Sequence, residues 1–480
     1  MTRTRWSRLM GLAAAAMLTV SALSACSDAN SAQNATDPDN PWQIAGATTS
    51  TGPSGPREGV SDTDRRAENS DGGEMDRLAL NAVADIEAFW AENYSATFPG
   101  EFRPVPKLIS WDATAAERDS VEFCTVSTHE LVNAAYCGLD DSIGWDRGVL
   151  LPELVQQFGE MAVVMVLAHE YGHALQIPAG IATEDTPGLV TEQQADCLAG
   201  VFLRHVAEGD SPHFTLNTSD GLNGVLGATV AVRDRDPNDP DNVHGTAFER
   251  VTAVQMGYME GAGSCAQIDE QEIENRRSGL PVTFEPGEEY LQLEVTEDSL
   301  QDMAAALGDI LPVSGTPRYD YDGVPTGCAD ATPTEPVAYC PATEVIGTDV
   351  DALAERAGEQ GSEDEPLSAI VSGDYNAFVV FISRYALLYQ HEKQLTLTGA
   401  DTAGLRTACL AGVVTTALSQ ETSNPRLSAG DLDEAVSGLL SDGLAASDVN
   451  GEVVPEGYLR LEAFRLGVLD GEQACLTEYA

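Results

Sequence analysis

The sequence predicts an α+β chain, dominated by helix and laid out as two successive versions of one pattern. Apolar stretches of helical length alternate with short segments of β character around closely spaced cysteines. Short strings from the first half also return in the second at a nearly constant offset, with the same cysteines around them. Together these give copies near residues 76–285 and 286–480 of a tandem duplication.

Two segments precede the copies. Arg3, Arg5 and Arg8 stand before an apolar stretch, Leu9 to Leu23, too short and too rich in small residues for a stable membrane span. It ends Leu23-Ser24-Ala25-Cys26, which resembles a bacterial lipobox. That resemblance implies a signal peptide over 1–25, cleaved before a lipidated Cys26. An ordinary secretory signal cleaved nearby is the alternative, and either one exports the chain. With the lipid, the mature protein sits on the outer side of a bacterial cell-envelope membrane, held by Cys26 alone, since no other segment approaches spanning length. Residues 26–75 are rich in Ser, Asn, Asp, Thr, Gly and Pro and read as a disordered tether. The remaining stretch, about 400 residues, exceeds one ordinary core and predicts two domains.

The charge is extreme, with 25 Lys+Arg against 77 Asp+Glu and a net charge of −52. No basic patch can be assembled to neutralise phosphates, which excludes nucleic acid as a partner. The acidic surface reads as a solvated face; selectivity for basic peptides is the other reading.

In the first copy a helix is expected from Glu74 to Tyr94, then short strands around the first cysteine pair. The run Met161 to Ala168 is apolar and free of Pro and Gly, and the run Ala174 to Ile177 stops at Pro178. That predicts one buried helix of about 16 residues ended by the proline. It carries His169-Glu170-Tyr171-Gly172-His173, an HExxH motif. His169 and His173 stand one turn apart on the same face, so both imidazoles can reach one ion. Glu170 lies beside them and can move a proton without being a ligand. The bland reading is a pair of core histidines on a buried helix.

Downstream, Thr191-Glu192-Gln193-Gln194-Ala195-Asp196-Cys197 resembles the glutamate-bearing second helix of the thermolysin-like gluzincins. That resemblance makes Glu192 the third ligand and Asp196 the group that orients a ligand imidazole. Three protein ligands leave one position open, as a catalytic zinc requires. HEYGHALQ, EQQADCLAGVF, His244-Gly245-Thr246, Arg250 and Gly257-Tyr258 together resemble the bacterial neutral zinc metallopeptidase family. Ala135-Tyr136-Cys137 and Ile143-Gly144-Trp145-Asp146 resemble its approach to the metal helix. The match spans roughly residues 80 to 270. It implies a zincin-like fold, Zn2+ as cofactor and a peptide or protein as substrate.

The repeat also orders the cysteines. Ala135-Tyr136-Cys137 returns as Ala338-Tyr339-Cys340, and Cys197 to Val201 returns letter for letter as Cys409 to Val413. Arg250, Ala253, Gly257, Gly261 and Cys265 return as Arg460, Ala463, Gly467, Gly471 and Cys475. Setting Cys26 aside for lipid leaves an even number, and corresponding cysteines bracket corresponding segments. Four bridges follow: Cys124 with Cys137, Cys197 with Cys265, Cys328 with Cys340, and Cys409 with Cys475. A Cys/His metal cluster is the competing reading, but no CxxC pair exists.

The second copy keeps this scaffold and loses the chemistry. Ser383, Arg384 and Leu387 replace His169, Glu170 and His173, while Gly404 and Ala408 replace Glu192 and Asp196. It is expected to be degenerate and unable to hold zinc.

The resulting expectation is an envelope zinc metallopeptidase in which Glu170 serves as general base and then acid. His244 is the candidate for stabilising the oxyanion, against its reading as an exposed loop histidine after the polar turn 236–242. Tyr171 returns as Tyr385 and His205 shares the helix of Cys197, so both read as packing residues. Ser142 to Trp145 is a candidate edge strand for extended peptide, or else a core strand. The second functional class is a non-catalytic binding or assembly lipoprotein that retains a metal site. The sequence sets no oligomeric state.

Overall fold

Helix α1 (Glu74–Thr97) buries one stripe, with Leu78, Ala82, Val83, Ile86, Phe89 and Trp90 turned inward at helical spacing. The computed structural model describes residues 43–44, 47–48, 52–234, 243–277, 279–283, 292–358, 367–420 and 422–480. The expected signal peptide, Cys26 and the boundary at 285/286 lie outside them. After α1 comes a small sheet. Its centre is β3 (Ser142–Asp146), buried at every residue, with β1 (Lys107–Trp111) parallel on one side and β2 (Ala134–Cys137) antiparallel on the other. Ser142 to Trp145 is therefore the core strand, and the free edge belongs to β2. Gly144 sits at the centre because Trp111 and Phe123 close over it, where a Cβ would lie 2.6 Å from the indole.

Helix α2 (Leu150–Phe158) leads through Gly159 into α3 (Glu160–Ala179). The proline was expected to end α3, yet Pro178 lies inside its last turn. Gly180 provides the stop: it is left-handed, and its N–H reaches the Ile177 carbonyl while that of Ile181 reaches Gln176. Helix α4 (Gly188–Ala207) crosses α3 at Gly172, where a Cβ would meet the Ala195 backbone at 2.9 Å. Helices α5 (Asp220–Ala231), α6 (Ala247–Glu260), α7 (Ala262–Cys265) and α8 (Glu270–Arg277) complete the first half. The tightest crossing is α4 on α6, where Gly257 leaves only 1.8 Å between its would-be Cβ and the Cys197 carbonyl oxygen.

The second half follows the same order. Helix α9 (Glu297–Ile310) precedes β4 (Arg318–Asp320), β5 (Val337–Cys340) and β6 (Val345–Asp349). Strand β4 runs parallel to β6 and β5 antiparallel to it, with Tyr339 opposite Ile346 as Tyr136 is opposite Ile143. Helices α10 (Val350–Ala357), α11 (Tyr375–Glu392), α12 (Leu405–Leu418), α13 (Asp431–Leu440), α14 (Gly457–Asp470) and α15 (Glu472–Glu478) follow. Gly467 approaches the Cys409 carbonyl as closely as Gly257 approaches that of Cys197. All four expected disulfides are present, spanning 13 and 12 residues at the sheets and 68 and 66 at the crossed helices.

The hydrophobic core is continuous through both halves. Helices α5 and α6 meet α13 and α14 reciprocally, with Tyr258 and Tyr458 5.2 Å apart and Gln255 donating to the Tyr458 carbonyl. The expected tether to residue 75 is shortened. Gly55–Pro56 pairs with Phe214–Thr215, Arg57 donates to the Ser211 and Gly209 carbonyls, and Glu68 bridges Ile109. A polar segment cannot build a core, but its backbone and Arg57 dock it onto one. Among the described residues no helix is long and apolar enough to cross a membrane.

The helix crossing gives a direct test. Gly257→Ala should destabilise the protein by about 3 kcal/mol in urea unfolding, because backbone must move to admit the methyl group. Gly263→Ala, where a Cβ meets nothing within 4 Å, should be close to neutral.

Candidate metal centre

Helices α3 and α4 bring His169, His173 and Glu192 together, with one ligand atom from each lying within 4.8 Å of the others. The two Nε2 atoms are 3.1 Å apart. Glu192 Oε2 lies 3.2 Å from His169 Nε2, and Oε1 lies 3.4 Å from His173 Nε2. Tetrahedral zinc with bonds of about 2.0–2.1 Å would set its ligands about 3.3 Å apart.

The hydrogen bonds behind the imidazoles decide what these atoms can do. His169 Nδ1 is 2.8 Å from Asp196 Oδ1, and a carboxylate there makes Nδ1 the donor. His173 Nδ1 faces Gln176 Oε1 at 3.2 Å, and the Gln176 amide nitrogen donates to the Thr191 carbonyl, which fixes the amide's orientation. Both Nε2 atoms therefore present lone pairs to one another in the neutral rings, and Glu192 adds a carboxylate. Glu192 Oε2 is enclosed and accepts no aligned hydrogen bond despite its contact with His169. Converging lone pairs of this kind call for a cation or a proton. The donor set of two imidazoles and one carboxylate fits zinc.

Electrostatics say the same. Burial opposes charging His169, but the Asp196 and Glu192 carboxylates outweigh it and push the imidazole up to about 10. Burial likewise opposes ionising Glu192, yet the two histidines hold its carboxyl well below the usual range. Asp196 is fully enclosed, and Arg250 from α6 binds it with two hydrogen bonds of 2.9 and 2.8 Å. Against burial, Arg250 and His169 keep Asp196 ionised.

Glu170 stands beside the cluster with a different partner. Its Oε2 accepts the outward backbone N–H of Tyr136 on β2 at 2.8 Å. His244 lines the same cavity, of about 270 Å³, and Asp234 accepts from its backbone N–H at 2.8 Å and lies 3.0 Å from its Nδ1. Burial would raise Asp234, but His244 and the Gly245 amide hold it down. All the expected site residues among those described, His244 included, thus come to one cavity or directly behind it. Tyr171 is fully buried, donating to Glu87 and accepting from Val105 N–H, and His205 packs on Phe89. Both are packing residues.

Sequence reasoning missed the roles of Arg250, Gln176, Asp234 and the Tyr136 amide. Arg250 was visible as part of the family resemblance and as a repeated residue, with no role assigned to it. Its counterpart Arg460 donates instead to the carbonyls of Val454 and Leu440. Arg384, at the place of Glu170, is also turned to its edge strand, donating to the Val337 carbonyl, and to Ser447 Oγ and the Leu444 carbonyl.

The chain is 26% identical over 200 residues to uncharacterized proteins of Mycobacterium bovis and of two Mycobacterium tuberculosis strains, covering 37% of this chain. It spans 64% of the length of these curated relatives. No protein-family model matches it, and no solved structure does.

Removing the Asp196 charge with Asp196→Asn should weaken zinc binding by about 10- to 100-fold, read by competition with a chromophoric chelator. A zinc ion bound here would displace the proton that the Asp196 and Glu192 carboxylates favour at His169. Apparent zinc affinity should accordingly rise with pH, by about tenfold per unit for each proton released.

Proposed function

We propose that this chain is a zinc-dependent metallopeptidase of the bacterial cell envelope, hydrolysing peptide bonds with Glu170 as general base. The observation that carries the reading is the convergence of His169, His173 and Glu192 at a cavity edged by the free strand β2. When bound, zinc acts as a Lewis acid on the scissile carbonyl and makes water more acidic.

The chain's own groups supply the rest. The Tyr136 amide fixes one Glu170 oxygen, and the other has no hydrogen-bond partner among the described residues, leaving it to take a proton from the attacking water and pass it to the leaving amine. Asp234 accepts from His244 Nδ1–H and so orients the ring. Nε2 can donate to the developing oxyanion only when the ring is doubly protonated, a form the Asp234 carboxylate favours. On β2, the outward N–H groups of Ala134 and Tyr136 are satisfied by Asn133 Oδ1 and Glu170. The carbonyls of the same residues point the same way and are open to the amides of an extended peptide. Leu150, Leu154, Met165 and Val166 form the apolar wall of the cavity and favour an apolar side chain next to the scissile bond.

The two halves we read as a tandem duplication of one zincin-like domain, the second degenerate. Support comes from the matching strand registers, the matching disulfide spans and the matching glycine crossings. Export is supported by the four disulfides, which persist in oxidising compartments, and the lipid anchor at Cys26 by its sequence context alone.

The test is metal content and hydrolysis of a mixed peptide library by the full chain and by its Glu170→Ala form. Both should hold one zinc, and Glu170→Ala should lower cleavage by at least about 100-fold. A chain that takes up no zinc would sink the reading.

A further inference from the structure

The second half contains three carboxylates that the chemistry above does not use. Asp374 stands at the start of α11, and Asp431 and Glu434 lie in the first turn of α13. All three are buried, and one oxygen from each lies within 4.8 Å of the others. Their hydrogen bonds come from neutral donors: Leu293 N–H to Asp374, Ser428 N–H and Oγ to Asp431, Tyr375 N–H and the Gln292 amide to Glu434. Among the described residues no Lys, Arg or His makes an ion pair with any of them. Arg426 also lines the small cavity beside Asp374 and Asp431.

Two further observations point to a ligand. Asp374 Oδ1 is enclosed, in a residue only 7% exposed, and has no hydrogen-bond partner. The cavity against it, of about 40 Å³, has room for an ion. Left without a cation, burial pushes Asp374 up to about 6 and Asp431 to about 8, with Glu434 well above its usual value.

We propose that Asp374, Asp431 and Glu434 hold one calcium ion that fastens the start of α11 to that of α13. Donors that are all oxygen select a hard cation. An enclosed pocket of three carboxylates suits calcium better than magnesium, which keeps several waters. The site lies apart from the zinc ligands and does not depend on the peptidase reading.

The full chain, stripped with EGTA and then saturated with zinc in excess MgCl2, is titrated with CaCl2 by calorimetry and followed by thermal unfolding. The expected result is saturable uptake of one calcium per chain and a rise in Tm of several degrees. Asp431→Asn and Glu434→Gln should each lose both while keeping zinc, and His169→Ala should keep calcium while losing zinc. Calcium uptake that survives in Asp431→Asn and Glu434→Gln would overturn the proposal. So would an unmodified chain whose Tm ignores CaCl2 and instead rises as pH is lowered from 8 to 5, since protons would then neutralise the cluster.

Discussion

Asp196 is fully enclosed, and a carboxylate so placed is costly unless charge and hydrogen bonds surround it. Here Arg250 grips both of its oxygens and His169 takes a third bond, so the cost is offset by an ion pair made inside the protein. The three residues sit on α4, α6 and α3. Their chain of contacts therefore works only where those helices cross at one fixed separation. Gly172 and Gly257 set that separation by letting backbone touch backbone, and the Cys197–Cys265 disulfide, one residue beyond Asp196, clamps it. The imidazole orientation at His169 is the far end of this packing.

Much of this was legible in the sequence, for identifiable reasons. The shared face of His169 and His173, with Glu170 beside them, follows from helical spacing, which is local and survives any tertiary context. Glu192 and Asp196 came from the resemblance to a glutamate-bearing second helix. The cysteine pairs followed from recurrence, because two halves keeping the same bridges must keep the same spacing. What was not legible depends on contacts distant in sequence. Pro178 looked like a helix stop, but a proline in the last turn removes an N–H at little loss, and the left-handed Gly180 ended the helix. The segment before residue 75 looked too polar to pack, and docks through backbone and Arg57. The sequence left Ser142 to Trp145 open between edge and core strand, and it is the core strand because β1 enters from before the hairpin and covers β3. Arg250 was hidden by its own recurrence, since Arg460 has the same scaffold position and different partners.

The two halves show what the same frame does with and without an acid at the edge strand. Glu170 accepts an N–H from β2, and Arg384 donates to a carbonyl of β5. Because outward N–H and C=O groups alternate along an edge, a carboxylate and a guanidinium can occupy one place with the charge reversed and still satisfy the strand. Burial lowers Arg384 to about 10 without neutralising it. A cation so placed, with Leu387 and Ser383 in place of the imidazoles, repels a second cation and leaves no nitrogen donors for it.

The second half nevertheless reaches the rim of the first half's cavity. Asp433, on α13, accepts from the Phe248 N–H at 3.2 Å and lies 3.7 Å from Arg233 Nε. Arg233 is followed by Asp234, which holds His244, and Phe248 begins the helix that carries Arg250. Arg250 in turn donates to the Val232 carbonyl at 2.6 Å. The two ends of the segment that presents His244 are thus fixed, one by the carboxylate of the other half and one by the guanidinium that also holds Asp196. Arg250 contacts both Asp196, behind His169, and the Val232 carbonyl, two residues before the Asp234 that holds His244, while Asp433 from the second half contacts the start of the Arg250 helix.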